Sequence, residues 1–415
     1  MVSVRMSDRH GICWQCSVER EIMTGNRSGR HFLQIPGPTN VPERVLRVIQ
    51  QPTIDHRGPR FQQLVRDILD RLQLIFRTDS PIIIFPSSGT GAWEAALTNT
   101  LSPGDRVLSF DQGFFAGKWA TVAERFGLDV QRESWEPRRG VAAAAVTDAL
   151  SADTQQAIKA VLIVHNETAT GVTSDVEAIG TAMRSSGHPA LLFVDTVSSL
   201  GATELRHDDW GIDVTVTGSQ KGLMLPPGLS FVAIGPRALE AHRTAELPRS
   251  YWDWDDQLTF NRRGFFPYTP ATNLLYGLDE SLSMLREEGL EHVFARHARF
   301  SQATRAAIDT WGLEGFALDA GEASNALTAV IMPEGSDAEA LRAVILERFD
   351  MSLGTGLANL KGRIFRIGHL GDLNALTLLG TLAGVEMGLS LAGVPHESRG
   401  VAAAMECLTK EEELN

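Results

Sequence analysis

Three cysteines in 415 residues are too few for a disulfide framework. Cys13 and Cys16 form a C-x-x-C in "CWQC", but no βαβ pattern follows that would make it a redox motif, and no further ligands stand near enough for a metal site. Cys407 stands alone. A reduced, cytoplasmic protein with no metal is the expectation. No run of about 18 apolar residues is present, which excludes a transmembrane helix. The first 30 residues lack the continuous apolar core of a signal peptide. Positive charge is also in short supply. Thirty-eight Lys and Arg stand against 51 Asp and Glu, a net charge of −13, which argues against a nucleic-acid partner and against binding to anionic membranes. A local basic pocket is still compatible with an acidic whole. No internal repeat of solenoid length occurs.

What the chain does have is an ordinary globular composition, 43% hydrophobic and 21% charged, and enough length for two domains with a sizeable core. Residues 1–30 are polar and irregular and read as a poorly ordered leader. The Pro-rich stretch "HFLQIPGPTNVPERV" reads as an extended arm. Phe61, Leu64, Val65, Ile68, Leu72, Ile75 and Phe76 follow helical spacing. Short apolar strands then alternate with amphipathic helices: "PIIIFP", "DRVLSF", "KAVLIVHNE", "ALLFVDTVSS", "DVTVTG" and "SFVAIG" are strands. "SSGTGAWEAALTNTL" is a turn entering a helix, and "SDVEAIGTAMRSSG" is a helix with Ser174 as its N-cap. That alternation predicts an α/β fold with a mostly parallel sheet. Helical periodicity covers 274–310, and the pattern after about residue 320 predicts a smaller α+β domain. The expected division is 31–290 for the large domain with its arm and 291–415 for the small one.

Ligands of open α/β sheets bind beyond the carboxyl ends of the strands. Four features fall there. Ser88-Gly89-Thr90-Gly91 opens a helix and reads either as a tight turn or as a phosphate site made of backbone N–H groups and a helix dipole. It is neither a Walker loop nor a dinucleotide fingerprint. Asp195 closes an apolar run, as a helix cap, a metal ligand or the partner of a protonated ring nitrogen. His165, in His165-Asn166-Glu167-Thr168, reads as a core histidine. Lys221, in "DVTVTGSQKGLMLPPGLSFV", is either a solvated loop lysine or a desolvated amine of lowered pKa. A helix-start phosphate site, a strand-end Asp and a strand-end Lys, in that order, are what pyridoxal phosphate needs.

The blocks "PGPTNVPE", "SSGTGAWEAALTNTLSPGD", "VHNETATGV", "VDTVSSLGA", "TGSQKGLMLPPGL", "PYTPATNLLYGL" and "FRIGHLG" resemble the serine–glyoxylate and alanine–glyoxylate aminotransferases, class V of the fold-type I pyridoxal-phosphate enzymes. The match runs from about His31 to the C-terminal helix. The resemblance implies a seven-stranded large domain and ping-pong transamination. It implies Lys221 as the Schiff-base lysine and Asp195 as the pyridinium partner. Gln220 and the Thr90-Gly91-Ala92 turn would hold the phosphate, Val197 would pack on one ring face, and Thr168 would hydrogen-bond near the ring oxygen. Phe115 would stack on the other face, with Phe114 and Trp119 as alternatives. Arg366 would grip the substrate carboxylate as a bidentate fork, and Gly37 would approach the substrate through its backbone. The family also implies a homodimer, or a tetramer, with shared active sites. Tyr268 and Thr269 would reach the neighbour's phosphate, and His56 and Arg57 in "DHRGP" would border the neighbour's substrate pocket.

The expected reaction moves the amino group of a small L-amino acid, serine first and alanine or aspartate as alternatives, to glyoxylate. Two rivals are a fold-type I lyase such as a cysteine desulfurase, which needs a nucleophilic cysteine over the site, and a non-enzymatic regulatory protein that kept the fold, which the presence of Lys221, Asp195 and Arg366 disfavours. The chain ends "EEELN", which is not a peroxisomal S-K-L type address.

Overall fold

Ile82–Phe85, four apolar residues in a row, are buried on both sides and form one edge of a seven-stranded sheet. The computed structural model describes residues 29–410; the C-x-x-C motif and nearly all of the 1–30 leader lie outside the described residues. The strands run in the order Ile82–Phe85, Ser230–Ile234, Val214–Gly218, Leu191–Asp195, Ile158–Val164, Arg106–Phe110 and Asp129–Glu133. Ser230–Ile234 is antiparallel to both its neighbours, and all other pairings are parallel. The polar strand Asp129–Glu133 takes the far edge, where unpaired backbone meets water.

Period-two alternation sorts the strand residues into two cores. Ile82, Ile84, Leu108, Val161, Ile163, Leu192 and Val194 face one side, packed with helix Pro59–Phe76 through Phe61, Val65, Ile68 and Leu72. Ile83, Phe85, Val107, Leu162, Leu191 and Phe193 face the other, against helices Gly89–Thr100 and Phe114–Arg125. Coverage of both faces is why these strands read as unbroken apolar runs. It also leaves the carboxyl ends of the strands as the open place for a site.

A second sheet of five strands has the order Phe32–Gln34, Met351–Thr355, Ile364–Gly368, Leu327–Ile331 and Glu314–Gly315. Its core includes Ile345 of helix Ala338–Phe349 and Leu382 of helix Ala375–Leu391. Phe32 onward forms one compact unit. No helix among the described residues is long and apolar enough to cross a membrane.

Two expectations need correction. The Pro-rich arm is extended at Phe32–Gln34, which pairs in parallel with Met351–Leu353, but not at its end, where Glu43–Ile49 is a helix. Helix Val176–Ser186 is capped by Asp175, whose side chain accepts from Ala178 N, and not by Ser174. The Ser174 hydroxyl is drawn inward instead, accepting from Val141 N and Gln112 Nε2. Helix Ala143–Ala152 was not anticipated; its Ala-rich run has a weak polar face to mark it.

Candidate active site

Strand Val214–Gly218 ends in the turn that carries Lys221. The Pro-rich arm crosses this turn: Thr39 N donates to Gln220 O (3.0 Å), and Thr39 Oγ1 donates to Lys221 O (3.2 Å). Lys221 Nζ donates to Pro36 O, and the side chain is buried. Burial, with the Arg366 cation as a second cause, pushes the Lys221 ammonium down to about 7, against the opposing pull of Asp195. Gly37 lies on the same arm at φ +121°, and a Cβ there would meet Lys221 Cδ, Cε and Nζ at 2.4–2.5 Å. Only glycine lets the arm pass this close.

Asp195 ends the next strand, Leu191–Asp195. Its Oδ1 accepts from Val197 N (2.7 Å) and its Oδ2 from the indole Nε1 of Trp93 (2.8 Å). Burial raises the carboxyl to about 6, and those two hydrogen bonds and Lys221 oppose the rise. Nothing in the linear sequence marks Trp93 as part of the site. It stands one helical turn past Gly89, and its stack on Trp119 (5.7 Å, 13°) fixes the ring that donates to Asp195. Trp119 is therefore buried behind the site and Phe114 is exposed, whereas Phe115 faces the cavity.

That cavity has a volume of about 290 Å³. Lys221, Asp195, Val197, Thr90, Thr168 and Phe115 are among the residues that line it, as are Gly37 and Gln220. Thr168 Oγ1 donates to Ser198 Oγ (2.7 Å), which donates in turn to Asn166 O (2.9 Å). Gly91 and Ala92 do not line the cavity; their N–H groups are bound to Ser88 O at 2.8 and 3.3 Å. Arg366 is buried on strand Ile364–Gly368, where Nε donates to Thr355 O (2.8 Å) and Nη1 to Thr168 O (2.6 Å). Burial holds it down at about 10. It stands behind the Thr168 wall, outside the set of cavity-lining residues.

Arg57 and Thr269 are exposed and do not line this cavity. Tyr268 is stacked on Tyr251 (4.5 Å, 8°), and its hydroxyl accepts from Gln257 Nε2 (2.6 Å). His165 is a buried histidine set edge-on to Trp210, and burial pushes it down to about 4.

These groups suit pyridoxal phosphate. Asp195 is a buried carboxylate at a cavity wall, raised by burial, and so favours a cationic N–H beside it. The Gln220 amide carries a buried oxygen with no partner, and the two ends of an amide are told apart only by what they bond. A phosphate oxygen at the wall would satisfy that amide once turned. Lys221 has the lowered pKa that a carbonyl-binding amine needs.

The family pattern described as "Aminotransferase class-V" matches residues 31–359. The chain belongs to the class-V aminotransferases. This aminotransferase is 47% identical to a serine–glyoxylate aminotransferase of Methylorubrum extorquens over 91% of its own chain and 96% of the relative. It is 46% identical to an L-aspartate–glyoxylate aminotransferase of Paracoccus denitrificans over 90% and 94%. Among solved structures it resembles the ureidoglycine–glyoxylate aminotransferase of Bacillus subtilis, with a TM-score of 0.86, 29% identity, and 92% and 99% coverage. It is a transaminase of fold type I, and its cofactor is pyridoxal phosphate. Cys407, the described cysteine, packs against the core of the second sheet and does not line the cavity.

Proposed function

We propose that this aminotransferase moves the amino group of a small L-amino acid, serine foremost, to glyoxylate, giving glycine and the matching oxoacid. One observation carries the small-donor reading. A cavity of about 290 Å³ lies at the low end of small-molecule sites, which span roughly 300–1,000 Å³. With a cofactor in place it leaves room for a short side chain. The names of the two relatives described above support glyoxylate as acceptor, with serine or aspartate as donor.

Bound pyridoxal phosphate supplies an aldehyde that takes up amino groups and a ring that withdraws electrons. Lys221 holds a substantial fraction of neutral amine at pH 7, so Nζ can accept a proton from the substrate Cα and return it. Asp195, fixed by Val197 N and Trp93 Nε1, would hold the ring N–H and keep the ring cationic. Val197 and Phe115 would close the two ring faces, Thr168 would meet the ring oxygen, and Thr90 and Gln220 would hold the phosphate. Arg366 is assigned to the α-carboxylate that donor and acceptor share; its Nε and Nη1 are held by Thr355 O and Thr168 O at the back of the Thr168 wall, and the substrate carboxylate would have to reach its remaining N–H groups from there.

The same reading includes a homodimer in which Arg57, Tyr268 and Thr269 serve the neighbour's site. Its support is that none of the three lines the cavity of its own chain. Arg57 would then favour an acidic donor and gives aspartate its place as second choice.

The test is a panel of serine, alanine and aspartate, each with glyoxylate, read as kcat/KM for glycine formation. Serine is expected to lead. No glycine from any donor would reject the reading, and a lead for aspartate would reassign the donor.

A further inference from the structure

Glu167 is fully buried beside the site, yet none of the steps above uses it. Its carboxylate serves two segments at once. Oε2 accepts from Phe115 N (3.0 Å) and Ala116 N (3.1 Å), and Oε1 accepts from Ala169 N (2.9 Å). The first two amides belong to the opening turn of helix Phe114–Arg125, where N–H groups have no acceptor within the helix and a negative charge is favoured. Gly113 makes room for this. A Cβ there would stand 2.5 Å from Glu167 Cγ and 2.7 Å from Cδ, so a side chain at position 113 would push the carboxylate away. Phe115 lines the cavity, and the carbonyl of Thr168 takes Nη1 of Arg366 at 2.6 Å. Thr168 thus lies between Glu167 and Ala169, both ends of one carboxylate-held turn. Burial raises the Glu167 carboxyl to about 7, against its three backbone N–H donors, and in its ionised form it favours the charged form of Arg366.

We propose that Glu167 is a positioning residue that ties the aromatic wall of the site at Phe115 to its carboxylate grip at Arg366. The proposal rests on the assignment of Arg366 to the substrate carboxylate. A carboxylate is required because its two oxygens accept from both segments. An amide of the same shape offers one oxygen and one NH₂, so one segment must lose its acceptor.

The test uses full-length holoenzyme carrying Glu167→Gln, and in parallel Gly113→Ala, which displaces the carboxylate without altering it. Three readouts are combined. The first is amide exchange over 113–118 and 167–171, expected to quicken in both variants because the protected N–H groups lose an acceptor. The second is the split of KM and kcat. KM for both the amino donor and the oxoacid should rise about tenfold, the usual scale for a lost hydrogen bond to a charged group, with a smaller fall in kcat. The third is a double-mutant cycle with Arg366→Ala. If Glu167 works in part through Arg366, adding Glu167→Gln to that background should lower kcat/KM clearly less than it does in the unaltered enzyme, the remainder being its hold on Phe115. Additive losses in the cycle would overturn the proposal. So would a kcat/KM within about twofold of the unaltered enzyme for Glu167→Gln alone. If one variant fails to fold, the other gives the same three readouts. If the unaltered enzyme transfers no amino group to glyoxylate, the functional reading fails by itself. The tie is then judged on amide exchange, and unchanged exchange in both variants overturns it.

Discussion

Lys221 carries two properties that pull against each other in a folded protein: it is charged in water, and it is buried here. Lys221→Ala should leave the fold intact and reduce turnover by at least about a thousandfold, within the span of general acid–base effects. Borohydride reduction of the holoenzyme followed by peptide mapping should place the cofactor on Lys221. The same burial makes a prediction about stability. The folded chain releases the Lys221 proton at about 7, whereas the unfolded chain holds it up to the ordinary value of 10.5. Between those pH values the unfolded chain binds more protons, so unfolding becomes harder as pH rises through that window. Cofactor-free Lys221→Met should therefore melt above the cofactor-free parent at pH 7, with the gap narrowing as pH rises toward about 10. A gap that widens with pH would refute it. Arg366→Ala should lower kcat/KM for every α-carboxylate substrate by roughly 10- to 100-fold, and Arg366→Lys should recover little, since a point charge does not replace a fork.

At the scale of elements, the site is held where an arm crosses two strand ends. Gly37→Ala probes that crossing. The new Cβ would stand within 2.5 Å of the Lys221 side chain, at a φ of +121° that L side chains rarely adopt, so activity and melting temperature should both fall. Unchanged values for both would contradict the arrangement. Much of this was legible in the linear order. Gly89–Gly91, Asp195 and Lys221 each follow an apolar run, and strand ends in an open sheet converge on one side. What stayed hidden depends on contacts between distant segments. Trp93 meets Asp195 from 102 residues away. Glu167 meets the helix start at Phe115 from 52 residues away, and nothing in "HNET" marks it as an anchor. The strand Phe32–Gln34 was masked by the prolines that follow it, and its partner lies near the other end of the described chain. Ser174 and Asp175 are both good caps, and which one serves the helix was decided by the buried N–H groups that took the serine.

At the scale of the whole molecule, the exposed positions of Arg57 and Thr269 make sense if a second chain receives them. Suppose Lys221→Ala and Arg57→Ala are each nearly inactive as homodimers with a given donor. Refolded together, random pairing puts about half the chains in mixed dimers with one intact site of two, so about a quarter of full activity should return. No recovery would mean that Arg57 serves its own chain. The account's central claim is amino-group transfer in two separate half-reactions at the Lys221 site. It is tested most directly by following the cofactor absorbance of the holoenzyme with serine alone and then with glyoxylate. The account predicts that serine without an acceptor bleaches the aldehyde form once per site, with one equivalent of oxoacid released. Glyoxylate should then restore the band with one equivalent of glycine. Steady product release from serine alone, or no spectral change with any amino donor, would contradict it.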